Sequence, residues 1–229
     1  MEKVKQLNTE PINDDWFDKL IKKHNFDSGD IILFQHQYQV KKWSDLLFDT
    51  MDFITSLATV SKYTHVGIII KNPQWRPDLK GYYFMESDRE SFTDMEDDEI
   101  KMGVELVSLK EVLDKNRQNK LWYRKLHCNR DFVFNINLNK AQSIAHNRPY
   151  DLMINDWIKA LLHLHIGNEQ RQKTFFCSAM VTFFYVKLGL LAEDTDWTII
   201  SPKELGTEYS KYELNFINCI VDSELELEY

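Results

Sequence analysis

The chain has 229 residues, enough for one domain of ordinary to large size that buries a full core without disulfide or metal staples. Its hydrophobic content of 43% and charged content of 28% are those of a soluble globular protein. A formal net charge of −8, with no lysine- or arginine-rich run, excludes general nucleic-acid binding, which needs a basic face to neutralise phosphates. Three cysteines, Cys128, Cys177 and Cys219, are too few and too scattered for a disulfide framework or a zinc site, and they fit free thiols in a reducing compartment.

Residues 1–25 read as a polar lead-in carrying one amphipathic helix (Trp16, Leu20, Ile21), without the apolar core of a signal peptide. The turn Ser28-Gly29-Asp30 precedes a short buried strand, Ile31 to Phe34. Apolar residues at helical spacing from Trp43 to Leu57 predict an amphipathic helix over residues 42–60. Thr64 to Ile70 is a second strand, Tyr82 to Glu86 a third and Val104 to Val107 a fourth, with the acidic stretch Asp94–Glu99 expected to be a solvated loop. Ser108 and Glu111 form a capping-box pattern before a short helix, and Leu121 to Leu126 is another strand. Helices are predicted over Asn139–His146, Leu152–Ile166 and Phe175–Leu190, the last broken by Ser178, Thr182 and Lys187 and so an improbable membrane span. A last short helix starts at Ser201-Pro202, and Asn215 to Val221 is a final strand. With no repeat and no linker, residues 26–229 read as one α+β domain. Met1-Glu2 carries no myristoylation glycine and the Leu-Glu-Tyr ending no prenylation signal, so the expected setting is cytoplasmic.

Three side chains carry chemistry. Cys177 opens the most apolar helix; it reads either as a buried core thiol or, with Thr174 as N-cap, as a thiolate stabilised by the first helical turn. His65 stands at the mouth of a strand, with Gly67 two residues on along the same face, where a missing side chain would admit a helix bearing a nucleophile. Glu86 ends the neighbouring strand and is either an ordinary solvated carboxylate or the group that orients the imidazole. Cys128 and Cys219 are expected to be structural. His163 and His165 would face different ways on a helix, so no metal site and no cofactor are expected.

The order of the motifs is more telling than any one of them. Gly29-Asp30-Ile31-Ile32, Thr64-His65-Val66-Gly67-Ile68, Met85-Glu86-Ser87, Gly103 to Leu109, Arg148-Pro149-Tyr150-Asp151, Phe176-Cys177-Ser178-Ala179 with Leu188-Gly189-Leu190, and Ser201-Pro202 follow one another over residues 26–206. This series resembles the circularly permuted papain-fold branch of the NlpC superfamily, the YiiX-like bacterial proteins and their poxvirus relatives. The resemblance implies a small antiparallel sheet or half-barrel packed against helices, with the nucleophile at a helix N-terminus and the histidine strand before it in the chain. Carried over by motif, Cys177 matches the nucleophile, His65 the general base and Glu86 the orienting residue. Tyr150 matches a tyrosine lining the cleft, and Asp30 the aspartate of the strand entry, a turn residue that borders the substrate side. Ala179 stands where the family often has an acidic residue, which puts any role of that carboxylate in doubt.

The resemblance implies a cysteine hydrolase or acyltransferase acting on an amide or ester bond of a small-molecule, lipid or peptide substrate through a Cys-His-Glu triad. Transient contact with a membrane surface and a host-cytoplasmic or virion location would fit a viral source. The alternative is a catalytically silent binding or virion-associated protein that keeps the fold. A third reading, a metal-dependent hydrolase using His163 and His165, is remote.

Overall fold

The computed structural model describes residues 15–35, 62–89, 92–149, 176–207 and 214–228. The helices expected over residues 42–60 and 152–166, with Tyr150, His163, His165 and Thr174, lie outside them.

An antiparallel sheet organises the described residues. Strands β1 (Ile31–Gln35), β2 (His65–Lys71), β3 (Tyr82–Arg89), β4 (Met102–Ser108), β5 (Lys120–Arg124) and β8 (Leu225–Glu226) lie in the order β4-β3-β2-β1-β5-β8. A second, two-stranded sheet pairs β6 (Leu126–His127) with β7 (Ile220–Val221). The helices are α1 (Asp15–His24), α2 (Leu109–Lys115), α3 (Phe132–Ala145) and α4 (Cys177–Lys187). This is an α+β architecture of a six-stranded antiparallel sheet and four helices among the described residues. No described helix is long and apolar enough to cross a membrane.

The main sheet is covered on both faces, which is why its central strands are apolar at nearly every position rather than alternating with polar residues. On β2, Val66, Ile68 and Ile70 enter the core shared with α3 and α4, while Ile69 enters the opposite core with Phe34, Phe84 and the apolar side of α1 and α2. Helix α4 carries buried residues all round, from Cys177 to Val186, as a helix enclosed by the protein must. It lies against β2 and β3. Its far end is tied down where Tyr185 Oη donates to the Gly29 carbonyl at 2.6 Å.

Several expectations meet a different local physics. Helix α3 begins seven residues before the expected Asn139, because the Asp131 carboxylate caps it by accepting from the Val133 and Phe134 N–H groups. Ser108 does cap α2, accepting from the Glu111 N–H. Ser201-Pro202 starts a turn rather than a helix; Glu204 folds back to accept from the Ser201 N–H at 2.9 Å. The expected final strand shrinks to Ile220–Val221. The acidic stretch is solvated only in its second half, at Asp98 and Glu99. Asp94 is fully buried, ion-paired to Lys101 and accepting from the Glu96 and Leu106 N–H groups, and Glu96 accepts from Trp75 Nε1.

Candidate active site

His65 is the first residue of β2, paired across the ladder with Phe34 of β1. The Phe34 ring meets the imidazole edge-on, at 5.2 Å between centroids, and fixes its plane. From β3, Glu86 Oε2 lies 2.6 Å from His65 Nε2, with both side chains buried. A carboxylate only accepts, so this contact puts a proton on Nε2 and leaves Nδ1 as the nitrogen open to another partner.

Cys177, the first residue of α4, is 5% exposed, and its thiol acts on the imidazole. Burial by itself lowers the tendency of His65 to hold a proton. The hydrogen bond and charge of Cys177, the hydrogen bond of Glu86 and the charge of Asp88 outweigh it and hold His65 well above the usual histidine range. Burial pushes Glu86 above the usual carboxylate range despite the opposing pull of His65. The structure thus brings His65 and Glu86 together and places Cys177 at the start of a helix packed against β2 and β3.

Helix α4 begins differently from the expectation. Phe176, not Thr174, holds the N-cap position, and its side chain makes no capping bond. Gly67 also has another explanation: a Cβ there would come within 2.3 Å of Phe84 Cζ and 2.7 Å of the Met85 carbonyl oxygen. The missing side chain makes room for the Phe84 ring on the face opposite α4, not for the helix.

Asp30 is a structural hub. It is fully buried, and its carboxylate accepts from the Asp27 and Leu126 N–H groups, Tyr123 Oη, Lys125 Nζ and Arg130 Nη2, at 2.7 to 3.2 Å. Every lone-pair direction is occupied by protein donors, which makes it an anchor of the strand entry. The other two thiols are poor nucleophiles. Burial raises Cys128, and burial together with Cys128 pushes Cys219 up to about 11.

Two acidic residues of the site escaped the sequence reading. Asp88 follows Glu86 by two residues and so shares its face of β3. Its oxygen, a Glu86 oxygen and a His65 nitrogen lie within 4.8 Å of one another. Within the trio Nε2 and Oε2 bond each other, and Lys115 lines the same cavity with a positive charge. That cavity, of about 180 Å³, is bounded by Phe34, His65, Glu86, Asp88, Phe92 and Lys115. Glu105 is the second residue missed. It stands directly across the β3–β4 ladder from Glu86 and is 1% exposed. The alternation of Glu105 with the inward residues Val104 and Leu106 was its only sequence signal.

No family model matches the chain, and no curated protein matches it. Among solved structures, the chain is similar to one described as the metalloprotein YiiX from Escherichia coli O157:H7, DUF1105. The likeness is structural. It has a TM-score of 0.44 and 17% sequence identity, and covers 71% of this chain and 66% of that one. YiiX belongs to the bacterial group that the order of motifs resembles, and a likeness of this size carries no argument about chemistry.

Proposed function

We propose that the protein is a thiol hydrolase or acyltransferase in which Cys177 is the nucleophile, His65 the general base and acid, and Glu86 the residue that orients the imidazole. The observation that supports this reading is the buried His65 imidazole 2.6 Å from the Glu86 carboxylate, with the Cys177 thiol among the groups that keep it protonated. His65 takes the thiol proton, and the sulfur attacks a carbonyl carbon. The first-turn N–H groups of α4, where Phe176 offers no side-chain cap, face the developing oxyanion. The imidazolium returns its proton to the departing amine or alcohol, leaving an acyl-thioester. Water or a second acceptor, deprotonated by His65, then attacks that thioester, and the sulfur leaves as thiolate. The substrate class is an amide or ester of a small molecule, lipid or peptide.

Iodoacetamide labelling as a function of pH tests the reading, with Cys128 and Cys219 as internal controls. Cys177 is expected to label fastest near neutral pH, and His65→Ala to slow it by about 100-fold at pH 6, where an unpaired thiol is almost wholly protonated. Equal labelling of all three cysteines, indifferent to His65→Ala, would leave the silent, fold-keeping protein as the reading.

A further inference from the structure

The cross-strand carboxyl pair Glu86–Glu105 has a consequence for how the site holds its charge. The two residues are direct partners in the β3–β4 ladder, and side chains at paired positions project from the same face with Cβ atoms roughly 4.5–5.5 Å apart. They are 2% and 1% exposed. Glu86 Oε2 is engaged by His65, whereas Glu86 Oε1 and both oxygens of Glu105 have no hydrogen-bond partner among the described residues. A buried carboxylate with no donor is costly, and two facing each other cost more still.

The charged groups around the pair do not neutralise it. His65 approaches from β2, Asp88 from β3 and Asp94 from the loop before β4. Helix α2, packed over β3 and β4, carries Lys110, Glu111, Asp114 and Lys115, of which Lys115 acts on Glu86. Lys101 is engaged by Asp94 and Asp97. Among the described residues no basic side chain hydrogen bonds to Glu105. One proton must therefore stay on the pair, and only Glu86 has an imidazole against it to favour the anion.

We propose that Glu105 is a positioning residue that carries a proton at neutral pH, confining the negative charge of the buried pair to Glu86, against His65. Burial foremost, then the charges of Glu86, Asp88 and Asp94, push Glu105 up to about 9, with His65 opposing. The inference rests on the thiol-enzyme reading for its consequence. A second anion behind Glu86 would tighten the hold on the His65 proton, which must pass to the leaving group during acylation. A neutral Glu105 keeps the imidazolium able to give that proton up.

Infrared difference spectroscopy on the full chain tests where the proton lies, using wild type and Glu105→Gln at pH 7. The carbonyl stretch of one un-ionised carboxylic acid is expected in wild type and absent from Glu105→Gln, and in wild type it should convert to carboxylate bands as pH passes about 9. No such band at pH 7, or one that survives Glu105→Gln and disappears in Glu86→Gln, overturns the proposal. The wild-type titration alone decides if either variant fails to fold. The positioning role is read by nuclear magnetic resonance titration of His65. Below pH 9 its curve in Glu105→Gln should follow wild type, since Gln keeps that neighbour neutral, and the two should part only as Glu105 ionises above about 9. Curves that part already below pH 7, or that never part above pH 9, overturn that role. The infrared measurement needs no reactive thiol, so a Cys177 that proves inert overturns the enzyme reading while leaving the placement of the proton to stand or fall separately.

Discussion

Two buried carboxyl centres in this protein lie a few strands apart and have opposite chemistry. Asp30, at the entry to β1, has both oxygens filled by two backbone N–H groups, a tyrosine, a lysine and an arginine. Glu86 and Glu105, in β3 and β4, have three oxygens without a donor among the described residues, and the His65 imidazole bonds the fourth. A buried charge that is fully paired locks the elements around it, as Asp30 locks the ends of β1, β5 and β6 and the start of α3. One left short of donors keeps its protonation state adjustable, which is what acid–base chemistry needs. The contrast gives the first centre a locked charge and the second an adjustable protonation state.

Substitution at each centre breaks the contrast if it is false. Asp30→Ala strands Lys125 and Arg130 beside a cavity and should cost about 3–5 kcal/mol of unfolding free energy by urea titration, the usual penalty for removing one partner of a buried ion pair. The Cys177 labelling rate of the molecules that remain folded should stay close to wild type. Glu86→Gln should do the reverse. It should slow Cys177 labelling near neutral pH by about 10-fold, by weakening the imidazolium partner, with an unfolding midpoint close to wild type because the amide oxygen still accepts from His65 Nε2. If Glu86→Gln proves the more destabilising change, both centres are structural.

The pH dependence separates them further. Glu105 is held above the value of an exposed glutamate, so its contribution favours folding fully below about 4.5 and is lost as pH rises through about 9. Denaturant midpoints should decline over that range in wild type and decline less in Glu105→Gln. The smallest effect sits at the edge of the Asp30 centre. Tyr185→Phe removes one buried hydrogen bond to Gly29 and should cost about 1 kcal/mol by the same titration, with no change in labelling.

Much of the fold was legible because its signals are local. The apolar runs Ile31–Phe34 and Val66–Ile70, the turn at Gly29 and the Ser108 cap each depend on neighbours within a few positions, and each lies where the pattern puts it. The misreadings arose where a distant group decides the matter. Gly67 is required by the Phe84 ring from β3, and the Asp94 loop is buried by Lys101 and the backbone of β4. At the site, Cys177, His65 and Glu86 could be named one by one from residue type and motif order. Glu105 could not, since a glutamate between two apolar strand residues looks like any outward-facing polar position.

The sequence by itself determined where the central strands and the helices beginning at Leu109 and Cys177 lie, and which thiol and which imidazole lie at element ends, because periodicity, turn residues and caps act over one or two turns of chain. Only the tertiary structure decided that Asp30 is an anchor, that Glu86 Oε2 meets Nε2 of His65, and that a second buried acid stands behind it. Those facts depend on ladder register and on burial from both faces of the sheet, and a protonation state follows from the sum of charges and solvent around a group, not from the residues beside it in the chain.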